Sequence, residues 1–557
     1  MKITGAEMVV RTLERNGVKI VFGYPGAANC PIIDRLSFSP IKHVLTRNEQ
    51  GAAHMASGYA RVTKRAGVCT ATSGPGATNL ITGIATAFMD SVPMVVLTGQ
   101  VASPLIGKDA FQEVDITGAT LPFVKHSCLI RNGLEIRRVL NEAFYIANTG
   151  RPGPVLIDFP MDLLKREFDY PDEEEELNIR GYRLLGKANE AQIKKVAEAM
   201  HKSQKPIILA GGGVVLSDAV DELRELTEKT GIPVVTTMMG IGAVPTDSEK
   251  YMGMIGSHGQ KKANNALNRS DFILGLGTRL GDRSTAHIKG LKEVKKLVHI
   301  DIDPAEIGKN TQPLIPVVGD IKDVLTQLLP LVGDFKTTPS WDGEMKELNK
   351  KYAQKIDSAD NGYVNPKYFL KVLSEKTNSD VYLSTEVGQN QIWVSNYFTF
   401  KNPRSFITSG GFGTMGYGLP AAIGASAAQK DVPVIAVMGD GSFQMDLPEM
   451  GTMAQWDIPV KMVLFQNHRL GMVHEHQYLL YKSNYQAVEI EGKPDFAMLA
   501  KAYGFESGIA NENSEVSEAI DKMMAHDGSY LLIVNVNPFE PTGDALNEAT
   551  LPKKEDK

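Results

Sequence analysis

The chain has 557 residues, 43% of them hydrophobic, which at about 150 residues per domain fits three or four folded domains rather than an extended disordered protein. Its formal net charge of −6 lacks the basic surplus expected of a nucleic-acid binder. Its three cysteines, Cys30, Cys69 and Cys128, form no C-x-x-C pair, which argues against a disulfide framework or zinc ribbon and fits a reducing compartment. The first residues carry Glu7 and no apolar run of signal-sequence length. No uninterrupted apolar stretch nears the roughly 18 residues that a membrane helix needs. A soluble cytoplasmic protein, with neither membrane nor nucleic acid as partner, is expected.

Short apolar runs alternate with helical patterns along the chain, which reads as α/β with mainly parallel sheets flanked by helices. In the first block, strands are predicted over 20–23, 67–70, 94–97 and 155–158. The acidic run PDEEEEL at 171–177 marks a solvated linker. A second block opens near Glu190, with strands over 206–210, 233–236, 272–275 and 297–301. Polar, lysine-rich sequence around 336–360 forms a second connector, and a third block carries strands over 381–384, 434–438, 461–465 and 531–535. The ending at 552–557 reads as a frayed tail. The expected division is 1–170, a linker over 171–189, 190–335, a linker over 336–362, and 363–557.

The third block holds the sharpest chemical signal. The apolar strand over 434–438 stops at Gly439-Asp440-Gly441-Ser442, where two glycines let the backbone turn tightly and offer N–H groups to a phosphate. Asp440 between them suits a hard cation. The next predicted strand ends at Asn467, 27 residues after Asp440. Adjacent parallel strands bring the two together at the carboxyl edge of a sheet, where α/β folds bind ligands. A carboxylate, an amide oxygen, a main-chain carbonyl, water and two diphosphate oxygens make the six-oxygen shell that Mg²⁺ prefers. A lone Gly-Asp-Gly is usually an ordinary turn; its pairing with a strand-terminal asparagine is specific.

Gly-Asp-Gly followed at this interval by Asn resembles the thiamine-diphosphate motif. Along nearly the whole chain the sequence is similar to the catalytic large subunits of acetohydroxyacid synthase, also called acetolactate synthase. The segments that carry the likeness are RNEQGAAHM at 47–55, TSGPGATN at 72–79, IGKDAFQE at 106–113, GRPGPV at 150–155, HIDIDP at 299–304 and GTMGYGLP at 413–420. The resemblance implies three α/β domains, thiamine diphosphate and Mg²⁺ as cofactors, and decarboxylation of pyruvate with condensation of the hydroxyethyl unit onto a second 2-keto acid.

It also implies residue roles. Glu49 would hydrogen-bond the aminopyrimidine nitrogen, and Phe111 and Gln112 would lie near the substrate. Met415 would wedge the cofactor into a V shape, with the Gly413 carbonyl taking its amine. Met472 and Val473 would flank the rings, and Gly388 and Gln389 would join Gly439, Gly441 and Ser442 on the diphosphate. Asp440, Asn467 and the Arg469 carbonyl would ligate Mg²⁺. FAD is expected in the middle domain at Arg151, Gly211, Gly212, Gly213, His258, Arg279, Asp301 and Asp320, the arginines on its pyrophosphate and the strand-end acids on ribose hydroxyls. Glu49 and Asp440 lie in different blocks, and the resemblance places them together across a subunit interface. It therefore implies a homodimer or homotetramer, with a small regulatory subunit as a possible further partner.

Five positions depart from the family pattern. Asn390 stands for histidine, Met161 for lysine, Ser257 for methionine, Arg469 for an acid and His476 for tryptophan. The last bears on 2-ketobutyrate preference and favours pyruvate as the acceptor. His474-Glu475-His476 lacks the His-Glu-x-x-His spacing of a zinc site, because position 478 is Tyr. The competing readings are another thiamine-diphosphate decarboxylase, oxidase or carboligase, and a non-catalytic regulatory paralogue; the intact Glu49, Asp440 and Asn467 argue against the paralogue.

Overall fold

A computed structural model describes residues 2–170, 177–184, 186–285, 297–490, 492 and 494–543. Most of the predicted acidic linker, 171–176, and the predicted tail at 552–557 lie outside the described residues. Three six-stranded sheets carry the architecture, and every pairing within them is parallel. The strands lie between residues 20 and 160, 206 and 318, and 382 and 535. Helices flank each sheet, so the inner strands are buried on both faces and read as largely apolar runs, such as VIAVM in Val434–Gly439 and MVLF in Lys461–Gln466.

With strands counted in chain order, the first and third sheets share the order 2-1-3-4-6-5, whereas the middle sheet runs 3-2-1-4-5-6. The middle order is that of the dinucleotide-binding doubly wound fold, whose ligand crevice opens beside the first strand. The same order in the outer sheets gives the molecule two similar α/β units on either side of a different one.

The two outer units meet through a pair of helices. Helix Glu49–Thr63 starts where the Asn48 side chain accepts from the Gln50 N–H (2.8 Å), and it ends on left-handed Lys64. Its partner Gly418–Ala428, sequence GLPAAIGASAA, is small and apolar all round and lies in the core. A Cβ on Gly58 would stand 2.0 Å from the Ala421 carbonyl, and one on Gly424 only 1.9 Å from that of Met55. Only glycine lets these backbones touch. Beside the crossing, Arg61, largely buried, donates to the Tyr417 hydroxyl (2.9 Å), Asp90 (2.8 Å) and the Thr408 carbonyl (3.0 Å), which tie it to both units. Glu449 of the third unit receives the main-chain N–H groups of Arg47 (3.1 Å) and Asn48 (3.0 Å), which fixes the start of the Glu49 helix from across the boundary.

Candidate active site

The strand Val434–Gly439 runs straight into helix Asp440–Asp446, and the next strand, Lys461–Gln466, lies beside it in parallel register with Gly439 opposite Phe465. This places Asp440 and Asn467 together at the carboxyl edge. The chain bends at His468, whose left-handed φ of 58° brings its N–H onto Asp440 Oδ2 (2.7 Å). Asp440 Oδ1 is buried without a hydrogen-bond partner. Burial pushes the Asp440 carboxyl up to about 6, against the pull of the N–H groups around it. An orphaned buried carboxylate oxygen is costly, by about 1–3 kcal/mol, and it is the donor a divalent cation needs.

Asn467 completes the pair. Its Nδ2 donates to Gln389 Oε1 (3.0 Å), while its Oδ1 accepts from the Arg469 N–H (3.1 Å). Gln389 reaches Asn467 only because position 471 is glycine, where a Cβ would stand 1.9 Å from Gln389 Oε1. A cavity of about 130 Å³ opens here, lined by Gly388, Gln389, Met415, Gly439, Gly441, Ser442, Asn467, Arg469, Met472 and Val473. The predicted diphosphate and ring-flanking residues of the third block therefore share one cavity with Asn467 and Arg469, and Asp440 lies in the chain between two of its lining glycines, Gly439 and Gly441. The Arg469 side chain is engaged elsewhere, on Glu489 (3.1 Å), His474 (3.0 Å) and the Phe539 ring (4.2 Å). Among the described residues no three His, Cys, Asp or Glu side chains group around a metal position. Main chain, water and a bound anion would supply the remaining oxygens for a cation at Asp440 and Asn467.

One residue that the sequence did not single out ties this cavity together. Glu386 is fully buried; its Oε2 accepts from the N–H groups of Gly416 and Gly418 (both 3.0 Å), and its Oε1 accepts from the Ser442 hydroxyl. It therefore fastens the Met415 turn to the Gly-Asp-Gly-Ser turn. Burial pushes its carboxyl up to about 7, opposed by these three donors. In sequence it looks like any strand-end acid, and only the two facing glycine N–H groups distinguish it.

A second cavity, of about 1060 Å³, lies where the middle unit faces the outer ones. Arg151, Gly212, Gly213, His258, Arg279, Asp301 and Asp320 line it, and so do Gly413, Met472, Val473 and His476. Met472 and Val473 wall both cavities, so the two adjoin. Gly211 and Gly213 form the turn after the first middle strand, packed so closely that a Cβ at Gly213 would stand 2.5 Å from the Gly277 Cα. Arg151 is held by Asp303 (3.1 Å), Glu306 (2.8 Å) and Ser91 (2.9 Å). Asp301 sits at a buried strand end, its carboxyl raised by burial, and Asp320 caps helix Ile321–Leu328 through the Lys322 N–H (2.9 Å). The volume lies at the upper end of the range for small-molecule sites.

Glu49, Phe111 and Gln112 line neither cavity. Glu49 accepts from Asn79 Nδ2 (2.9 Å) at the start of its helix, Phe111 is 87% exposed, and Gln112 packs against Gly74 with a left-handed φ of 58°.

Comparison with known proteins agrees with this layout. Three family models match in order: the thiamine pyrophosphate enzyme N-terminal TPP binding domain at residues 3–119, the central domain at 193–328 and the C-terminal TPP binding domain at 386–534. The chain belongs to the thiamine pyrophosphate enzymes. It is 44% identical to the probable acetolactate synthase large subunit of Methanocaldococcus jannaschii, over 98% of this chain and 95% of that protein. The acetolactate synthase large subunits of Haemophilus influenzae and Corynebacterium glutamicum are 40% and 43% identical, over 100% and 94% of this chain and 99% and 84% of theirs. Within the class, the chain is a member of the acetolactate synthase large-subunit family. Among the described residues, no helix is long and apolar enough to cross a membrane.

Proposed function

We propose that the chain is an acetolactate synthase that decarboxylates pyruvate and condenses the two-carbon unit with a second 2-keto acid, pyruvate in preference, giving 2-acetolactate for branched-chain amino acid synthesis. The observation that carries the reading is the orphaned Asp440 oxygen beside Asn467, at a cavity walled by Met415 and Met472. Bound thiamine diphosphate supplies the carbon nucleophile and the electron sink that decarboxylation requires. Asp440 and the Asn467 amide oxygen hold Mg²⁺, and the Gly439–Gly441 turn with Ser442 holds the diphosphate. Met415 would wedge the cofactor into its V shape, Met472 and Val473 would flank its rings, and the Gly413 carbonyl would accept from its exocyclic amine. Glu49 of a second copy holds a proton at the pyrimidine ring nitrogen, and Phe111 and Gln112 of that copy border the substrate.

The exposed Phe111 ring supports a site completed by a homodimer or a higher assembly of dimers. The large cavity, the 3-2-1-4-5-6 sheet and the Gly211–Gly213 turn support FAD in the middle unit, with Arg151, His258, Arg279, Asp301 and Asp320 around it. Each span of the 1–170, 190–335 and 363–557 division contains one complete six-stranded sheet. The relatives are named as large subunits, and a small regulatory subunit is part of the reading, as is a cytoplasmic location.

The test is purified protein with Mg²⁺, thiamine diphosphate and pyruvate, with acetolactate, acetaldehyde and acetate quantified. Acetolactate is expected; acetaldehyde or acetate alone would replace the synthase with a decarboxylase or an oxidase. Competition between pyruvate and 2-ketobutyrate tests the acceptor, and strong acetohydroxybutyrate formation would reverse the inference from His476. A flavin absorption spectrum tests FAD directly.

A further inference from the structure

Glu475 lies between His474, which holds the Arg469 side chain, and His476, and like His476 it lines the larger cavity. It lies on helix Gly471–Leu480, with its carboxylate largely buried. Oε1 accepts from Gln389 Nε2 (2.8 Å) and from the Thr542 N–H (2.6 Å), and Oε2 pairs with the Thr542 hydroxyl. Gln389 Nε2 makes a second bond, to the Glu540 carbonyl (2.8 Å).

These partners decide a polarity. A carboxylate and a carbonyl only accept, so the Gln389 amide must turn its NH₂ toward them. Its oxygen then faces Asn467, and the Asn467 amide must present its own NH₂ to that oxygen, as it does at 3.0 Å. Asn467 Oδ1 is thereby turned to the opposite side, where its protein donor is the Arg469 N–H (3.1 Å) and a lone pair remains for a cation beside Asp440. Without the acceptors behind Gln389, both amides could rotate by 180° with little loss of shape, and Asn467 would offer hydrogen atoms where a cation needs oxygen.

We infer that Glu475 is a positioning residue for the proposed metal ligand Asn467, fixing the direction of its amide through Gln389. The inference rests on the proposed Mg²⁺–thiamine diphosphate site. Glu475 supplies one acceptor itself and, through Thr542, steadies the segment that supplies the other. Partners behind a metal ligand typically govern affinity by about 10–100-fold.

The experiment titrates Mg²⁺ into the full-length protein at fixed, saturating thiamine diphosphate and follows intrinsic tryptophan fluorescence, since Trp393 walls the smaller cavity. It requires no turnover. Glu475→Leu should raise the Mg²⁺ concentration for half-saturation by about tenfold or more. Glu475→Gln, which keeps an acceptor oxygen, should stay within about threefold of wild type. Thr542→Val, which loses only the hydroxyl contact to Oε2, should do the same. Should Glu475→Leu fail to fold, Glu475→Met, of matching length, serves in its place. A Leu or Met variant that binds Mg²⁺ like wild type overturns the inference. So does a Thr542→Val variant as impaired as Glu475→Leu, because anchoring of the 540–542 segment would then explain the effect. Wild-type protein that shows no Mg²⁺-dependent thiamine diphosphate binding would instead remove the proposed function, and this inference with it.

Discussion

Asp158 and Asp440 are both aspartates buried to within 2% of full burial, in sheets of the same strand order. Burial pushes both carboxyls up, to about 7 and about 6. Their surroundings differ. Both oxygens of Asp158 are filled, by the Thr98 hydroxyl (2.7 Å) and Gln100 Nε2 (2.8 Å). Asp440 keeps one oxygen without a partner. A carboxylate closed on its neighbours holds a sheet together, whereas one left open lies where something else must bind. Strand order alone does not distinguish the two; the count of donors does.

The severest test of that contrast is Asp440→Ala. It should lower kcat/KM by about 10³-fold or more, since metal contact contributes several kcal/mol. The cofactor-free protein should melt no lower than wild type, because an unsatisfied charge has been removed. Substantial residual activity would make Asp440 a structural residue like Asp158. Glu49→Gln should reduce kcat by about 10²-fold while leaving the Mg²⁺ titration unchanged. Co-expressing Asp440→Ala and Glu49→Gln chains should restore activity, because one of the two sites in a mixed dimer carries neither change; a site built within one chain would show no recovery.

Gly213→Ala moves the test to the middle unit, where the added Cβ meets Gly277 at 2.5 Å. Overpacking of this kind costs about 1–3 kcal/mol, seen in the thermal melt, and bound flavin colour should be lost with it. The smallest effect is expected at Asp158. Its folded-state pKa is raised from 3.8 to about 7, so its contribution to stability is full below 3.8 and is lost as pH rises through about 7. Asp158→Asn, with the Thr98 hydroxyl free to rotate and accept, should therefore be more stable than wild type at pH 8, by about 1 kcal/mol or more. The gap should close toward pH 5. A gap independent of pH would show that Asp158 is not the titrating group.

The sequence revealed the four inner strands of each sheet and none of the edges. Lys42–Leu45, His126–Leu129, Tyr251–Met254, Ile315–Val318, Phe406–Thr408 and Glu506–Ala510 all lie at sheet edges, and none was predicted. Inner strands are buried on both faces and so are mostly apolar; edge strands are short and mixed, KHVL and ESGIA for example, and IPVV carries a proline inside the strand, which suits an edge. The site divides in the same way. Asp440 and Asn467 were legible because glycines and a strand end announce them. Glu386 and Glu475 were not, since their importance lies in which N–H groups and amides face them from distant parts of the chain. The Glu49, Phe111 and Gln112 roles came from resemblance alone.

The backbone contact between Gly58, Ala421, Met55 and Gly424 has a mechanical consequence. Surfaces already at contact distance lose a quarter to a half of their attraction over a gap of 0.5–1 Å. Any side chain larger than hydrogen at Gly58 or Gly424 would therefore have to push the first and third units apart along this seam.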